Sequence, residues 1–98
     1  MGRLNLREIA ATLPGAWSST EIAAFGEARL KILRMDGTAY PEETHAYREG
    51  LLVLDGEMRL RIEDRLVTVS AGEIYVVEAG VPHAVEPGSH GVLAILDT

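Results

Sequence analysis

The feature that most constrains this chain is its punctuation. From Gly15 onward, turn-forming pairs recur mostly about every eight to twelve residues, a spacing that leaves room for short strands and little else. They are Gly26-Glu27, Asp36-Gly37, Asp55-Gly56, Asp64-Arg65, Ala71-Gly72 and Ala79-Gly80. Between them the apolar residues alternate with a period of two. In Met58-Arg59-Leu60-Arg61-Ile62-Glu63 the apolar members should face inward and the charged members water. Strands are expected over 16–25, 28–35, 50–54, 58–63, 66–69, 73–78, 82–85 and 91–96, with Asp55-Gly56 forming a hairpin turn. About eight short strands imply an all-β sandwich or barrel. Before them, Asn5-Leu6-Arg7-Glu8 reads as a capping box, and Leu6, Ile9, Ala10 and Leu13 fall at helical spacing. A short helix over 6–13, ended by Pro14-Gly15, follows.

Composition narrows the classes. The chain has 98 residues, enough for one domain with a modest core and no second core. Cysteine is absent, so there is no disulfide framework, thiolate nucleophile or cysteine-based zinc site. The formal charge is −6 and the nine basic residues form no dense cluster, which argues against nucleic acid as a partner. No apolar run approaches the ~20 residues of a membrane span. The first ten residues lack a hydrophobic signal core. A soluble, cytoplasmic protein is expected.

The chemistry-bearing residues converge on one pattern. Histidines occur at 45, 83 and 90, and neutral imidazole shares divalent first-row metals with carboxylates. Glu43 and His45, two apart, project from one face of an extended chain. Glu49 has the same parity. Four residues of straight strand span ~13 Å, whereas metal–ligand bonds are about 2.0–2.2 Å long. The chain must therefore bend through Ala46-Tyr47-Arg48 if His45 and Glu49 are to share an ion. His83 follows the rigid turn Gly80-Val81-Pro82. Tyr47 shares the ligands' inward parity and is the candidate for donating a hydrogen bond to substrate, or for plain packing. Glu78 and His90 are expected at the surface, and Trp17, Met35, Tyr40 and Tyr75 in the core or an interface.

Gly37, Glu43, His45, Glu49 and Gly56 stand at the fixed positions of G-x5-H-x-H-x3-E-x6-G, and Gly72, Glu78, Gly80, His83 and Pro87 at those of G-x5-P-x-G-x2-H-x3-N. In that order, the two motifs make the chain resemble the small single-domain cupins over about 37–87. The resemblance implies a double-stranded β-helix, or jelly-roll, barrel with a short N-terminal helix. It also implies one divalent metal ion (manganese, iron, nickel or zinc) on the motif residues, which here are Glu43, His45, Glu49 and His83. Three positions depart from the motifs. Glu43 replaces a histidine, Glu78 a proline and Pro87 an asparagine. The first gives two histidines and two glutamates, a harder and less Lewis-acidic donor set than three histidines with one glutamate. If Glu43 turned outward, His45, Glu49 and His83 would remain as a two-histidine, one-carboxylate triad. The resemblance leaves three functions open: a metal-dependent oxygenase, isomerase or lyase acting on a small molecule; a non-catalytic binding or sensing module; or a metal-free barrel serving in association. It also implies a homodimer, with the segment 16–25 as the pairing strand.

Overall fold

The computed structural model describes residues 2–98. The helix α1 (Leu6–Thr12) forms as its cap foretells, with the Glu8 amide donating to Asn5 Oδ1 at 3.1 Å. Eight strands follow: β1 (Thr20–Phe25), β2 (Ala28–Asp36), β3 (Tyr40–Glu43), β4 (Glu49–Ile62), β5 (Arg65–Ser70), β6 (Ile74–Val77), β7 (His83–Val85) and β8 (His90–Asp97). All belong to one antiparallel sheet running β1-β2-β8-β4-β7-β3, with β5 and β6 also paired to β4. Strand β4 is the hub. Its first half lies between β6 and β8, and its second half between β5 and β7. One sheet curled around this long strand gives the expected barrel. Among the described residues, no helix is long and apolar enough to cross a membrane.

Asp55-Gly56 does not form the expected hairpin. The chain runs straight on as β4, with a bulge between Val53 and Asp55. Gly56 does take the left-handed conformation that such a turn would need (φ 78°), but it uses it inside a strand. The reason lies in the parity of the flanking residues. Leu51 and Val53 are buried in the same inner cluster as Met58, Leu60 and Ile62. Odd and even positions can share one face only if an extra residue is inserted between them. Gly56 is registered opposite Gly91, which is also left-handed (φ 104°). A Cβ on Gly56 would collide with the His90 carbonyl, and one on Gly91 with that of Asp55.

Two apolar clusters are present where one was expected. The inner one fills the barrel with Leu33, Met35, Leu51, Val53, Met58, Leu60, Ile62, Val69, Val77 and Leu93, and Trp17 and Tyr75 pack against it. The second holds Ala10, Ile32, Val92 and Ala94, bordered by Leu6, Ile9, Leu13 and Leu52. It exists because β2 and β8 are apolar on both faces, and α1 covers the outer one. Arg34 clasps the helix from below, donating to the carbonyls of Ala10 and Leu13, both at 3.0 Å. Strand β1 starts at Thr20 rather than at residue 16, because Trp17 lies in a turn with φ 62°. Tyr40–Glu43 forms a strand that the turn spacing did not indicate.

Candidate metal centre

Local structure brings the site together from three directions. Glu43 ends β3 and is registered opposite His83 at the start of β7, which in turn lies opposite Ile62 of β4. Glu49 begins β4, opposite Val77. His45 sits between β3 and β4, just before a bend at Ala46 and Tyr47, within the segment where distance demanded one. The Gly80 amide, in a left-handed turn (φ 80°), donates to the His45 carbonyl at 2.8 Å and ties the two ligand-bearing loops together. The sequence-designated Glu43, His45, Glu49 and His83 thus lie side by side.

The distances are short. His45 Nε2 is 3.2 Å from Glu43 Oε2 and 3.8 Å from Glu49 Oε2, and His83 Nε2 is 3.3 Å from Glu49 Oε1. One donor atom from each of Glu43, His45 and His83 lies within 4.8 Å of the other two. Glu49 touches both imidazoles, but with different oxygens. Burial is graded inward, with side-chain exposures of 39% for Glu43, 20% for His45, 9% for Glu49 and 6% for His83. Burial pushes the Glu49 carboxyl above its ordinary pKa. The two histidines oppose that rise, and the charges of Glu43 and Asp97 add to it.

One atom tests whether these residues suit a cation. His83 Nδ1 lies 3.0 Å from the Val81 carbonyl, which can only accept, so Nδ1 carries a proton and, in the neutral ring, Nε2 presents a lone pair. That Nε2 is buried and has no hydrogen-bond partner. The nearby Glu49 oxygen also offers lone pairs when ionised, so two acceptors then face each other. A divalent ion between them would relieve that conflict, and the nitrogen–carboxylate donor set suits one. His45 Nε2 and Glu43 Oε2 are hydrogen-bonded at 3.2 Å, the imidazole N–H donating to the carboxylate, and an ion would displace that proton.

The cluster opens into a cavity of about 220 Å³. Tyr47 lines it and stacks on His45, with ring centroids 5.0 Å apart and planes 12° from parallel. Burial, and then the charges of Asp97 and Glu49, raise the pKa of the Tyr47 phenol, which stays protonated as a donor. Trp17 and Tyr40 form another wall, 5.7 Å between centroids. Trp17 is held by donating to Asp36 Oδ1 (2.8 Å) and Thr38 Oγ1 (2.9 Å). The Tyr40 phenol is raised in pKa chiefly by the charge of Glu43 and then by burial. His90, at the exposed start of β8, and Glu78, paired with Arg48 at 2.9 Å, lie at the surface as expected. Two charged lining residues escaped the sequence reading, Lys31 and Asp97. A signal was present, since each puts a charge at the inward parity of an apolar strand, Lys31 with Leu33 and Asp97 with Leu93 and Ile95.

Comparison with known proteins agrees with this architecture. A family model described as a cupin domain matches residues 32–98. Among solved structures, a cupin-2 domain containing protein from Shewanella frigidimarina superposes with a TM-score of 0.87 at 23% identity, covering 95% of this chain and 91% of its own. Protein NMB1881 from Neisseria meningitidis gives 0.84 at 23% identity, covering 98% of each chain. TT1209 from Thermus thermophilus gives 0.80 at 19%, covering 100% of this chain and 97% of its own. At these identities the likeness is one of fold. No curated protein matches the sequence significantly.

Proposed function

Because the chain belongs to the cupin family, we propose that it is a small metal-dependent enzyme acting on a small organic molecule. A divalent ion (manganese, iron, nickel or zinc) would be held by Glu43, His45, Glu49 and His83. The observation that carries this reading is the unpartnered, buried Nε2 of His83, which is the lone-pair nitrogen of the neutral ring because Nδ1 faces the Val81 carbonyl, and which lies beside carboxylate and imidazole donors. When bound, the ion would act as a Lewis acid toward a substrate oxygen. Two carboxylates balance its charge, so the occupied centre is neutral and suits a ligand that brings no charge of its own. Tyr47, protonated and stacked on His45, orients that ligand by donating a hydrogen bond.

Elemental analysis of protein purified without added metal tests the centre. About one ion per chain is expected, because a four-donor site fills readily. Fewer than about 0.1 per chain after reconstitution would refute it. His83→Ala should lower the content sharply. The second reading is a binding module with the same ion and no turnover. It is favoured by the cavity walls, which outside the metal cluster offer Trp17, two tyrosines, Ser19, one Lys–Asp pair and apolar groups, with no hydrogen bond joining a nucleophile to a base among the described residues. Metal-dependent turnover in a screen of small metabolites decides for the enzyme. We also propose that two copies pair through β1, which lies at the sheet edge and carries the exposed Phe25. A monomeric mass in sedimentation equilibrium at micromolar concentration would refute that pairing.

A further inference from the structure

We propose that Asp97 and Lys31 form a second recognition point in the cavity, one that binds a hydroxyl group of a small neutral polyol or aldose. As a substrate class this rests on the metal-centre reading of the same cavity, whereas as a binding site it does not.

The Asp97 side chain is 2% exposed, and its Oδ2 lies 2.9 Å from Lys31 Nζ. Its Oδ1 has no hydrogen-bond partner, and the nearest cation there, Arg29 Nε, is 3.8 Å away. Both Asp97 and Lys31 line the cavity. A purely structural role explains this poorly. Strands β2 and β8 are already registered along Arg29–Asp36 and His90–Asp97, so the sheet needs no ionic pin. Buried ion pairs are seldom the stabilising choice where apolar residues would pack. A carboxylate with a free acceptor beside an ammonium donor suits one group particularly well. A hydroxyl donates to the first while accepting from the second.

Position and charge narrow the ligand. Glu49 and Asp97 each stand one residue beyond the registered pair Gly50 and Leu96, and Asp97 contributes to the raised pKa of Glu49. The pair is therefore next to the metal cluster, within reach of a second oxygen on a carbon chain of a few atoms. The charged lining groups besides the histidines are Glu43, Glu49, Asp97 and Lys31, three negative and one positive. A bound divalent ion brings the wall to neutrality, leaving no surplus positive charge for a carboxylate or phosphate ligand. Trp17, Tyr40 and Tyr47 line the same cavity and supply aromatic surface for the C–H side of a polyol.

The test is an NMR titration of zinc-treated protein with D-xylose, xylitol and sodium D-xylonate, with zinc content measured on the same samples. Saturable shifts at Lys31, Asp97 and their neighbours are expected for the two neutral probes, with D-xylonate weaker by about tenfold or more. Asp97→Asn, which puts a donor amide beside the ammonium, and Lys31→Gln should each weaken the neutral probes by about tenfold, the usual loss when a buried polar partner is left unmatched. If Asp97→Asn fails to fold, the partly exposed Lys31 still allows the comparison. Lack of saturable shifts with the neutral probes, equal or tighter D-xylonate binding, or unchanged affinity in the folded variants would each overturn the proposal. Bound zinc without polyol binding sinks this inference and leaves the metal centre standing. Asp97-dependent polyol binding without zinc supports the anchor and counts against zinc as the ion of the centre.

Discussion

Replacing Gly56 by alanine probes the bulge that turns β4 inside out. Two contributions add at that position. The left-handed backbone (φ 78°) disfavours an L side chain by about 1–2 kcal/mol. The new Cβ would also meet the His90 carbonyl, with the carbonyl carbon at 2.8 Å, and these atoms belong to backbone that cannot swing aside. Overpacking of that kind costs about 1–3 kcal/mol. The expected loss is therefore about 2–5 kcal/mol, a large part of the 5–15 kcal/mol typical of a domain. For a chain of this size each kcal/mol moves the melting temperature by about 4–8 °C, so a fall of at least about 8 °C is expected by circular dichroism. Gly26 is the control. It is also left-handed (φ 65°), but an added Cβ there meets nothing within 4 Å, so Gly26→Ala should lose only the backbone contribution, about 1–2 kcal/mol. Urea titrations of both variants yield the difference directly. Equal losses, within about 0.5 kcal/mol, would refute the close Gly56–Gly91 approach and with it the register of β4 against β8.

Three further outcomes follow from the same geometry. Leu60 is wholly buried in the barrel, and Leu60→Ala should cost about 2–5 kcal/mol in urea unfolding, whereas a loss under about 1 kcal/mol would contradict its place in the core. Chelation should lower the melting temperature, because an ion present at about 100 times its Kd stabilises the native state by about 2.7 kcal/mol, and an unchanged melt would count against the centre. Hydrogen bonds from Thr38 and Trp17 hold the Asp36 carboxyl below its ordinary pKa, so its stabilising effect is complete above the unfolded value and fades as pH falls through the lower folded one. The gap in melting temperature between wild type and Asp36→Asn should be constant from pH 7 to about 5 and close progressively below about pH 4, and a gap independent of pH would reject this role.

What could be read in the sequence was what acts locally. Asn5 caps its helix through a contact three residues away, and the alternation of Met58, Leu60 and Ile62 is visible without knowing any partner strand. The bend after His45 followed from strand rise against metal–ligand distance. The bulge was misread because Asp-Gly supplies the same left-handed glycine to a hairpin and to a bulge. The parity change between Val53 and Met58 was the clue that separated them. Lys31 and Asp97 are 66 residues apart, and only the β2–β8 register makes them neighbours. The second apolar cluster likewise depends on α1 docking against the outer face of strands that pair far along the chain.

Strand β8 is inserted between β2 and β4, and each of those waits for it. A nascent chain emerging in order would have β2 and β4 outside the ribosome with a gap between them until residues 90–97 appear. Those two strands meanwhile present unpaired edges rich in leucine and isoleucine. Folding must then close loops spanning most of the domain in a late step, which slows it and exposes the incomplete barrel to self-association. The last strand of the fold is thus a timing element for cellular production, and losing it would leave open edges on both sides of the vacant position.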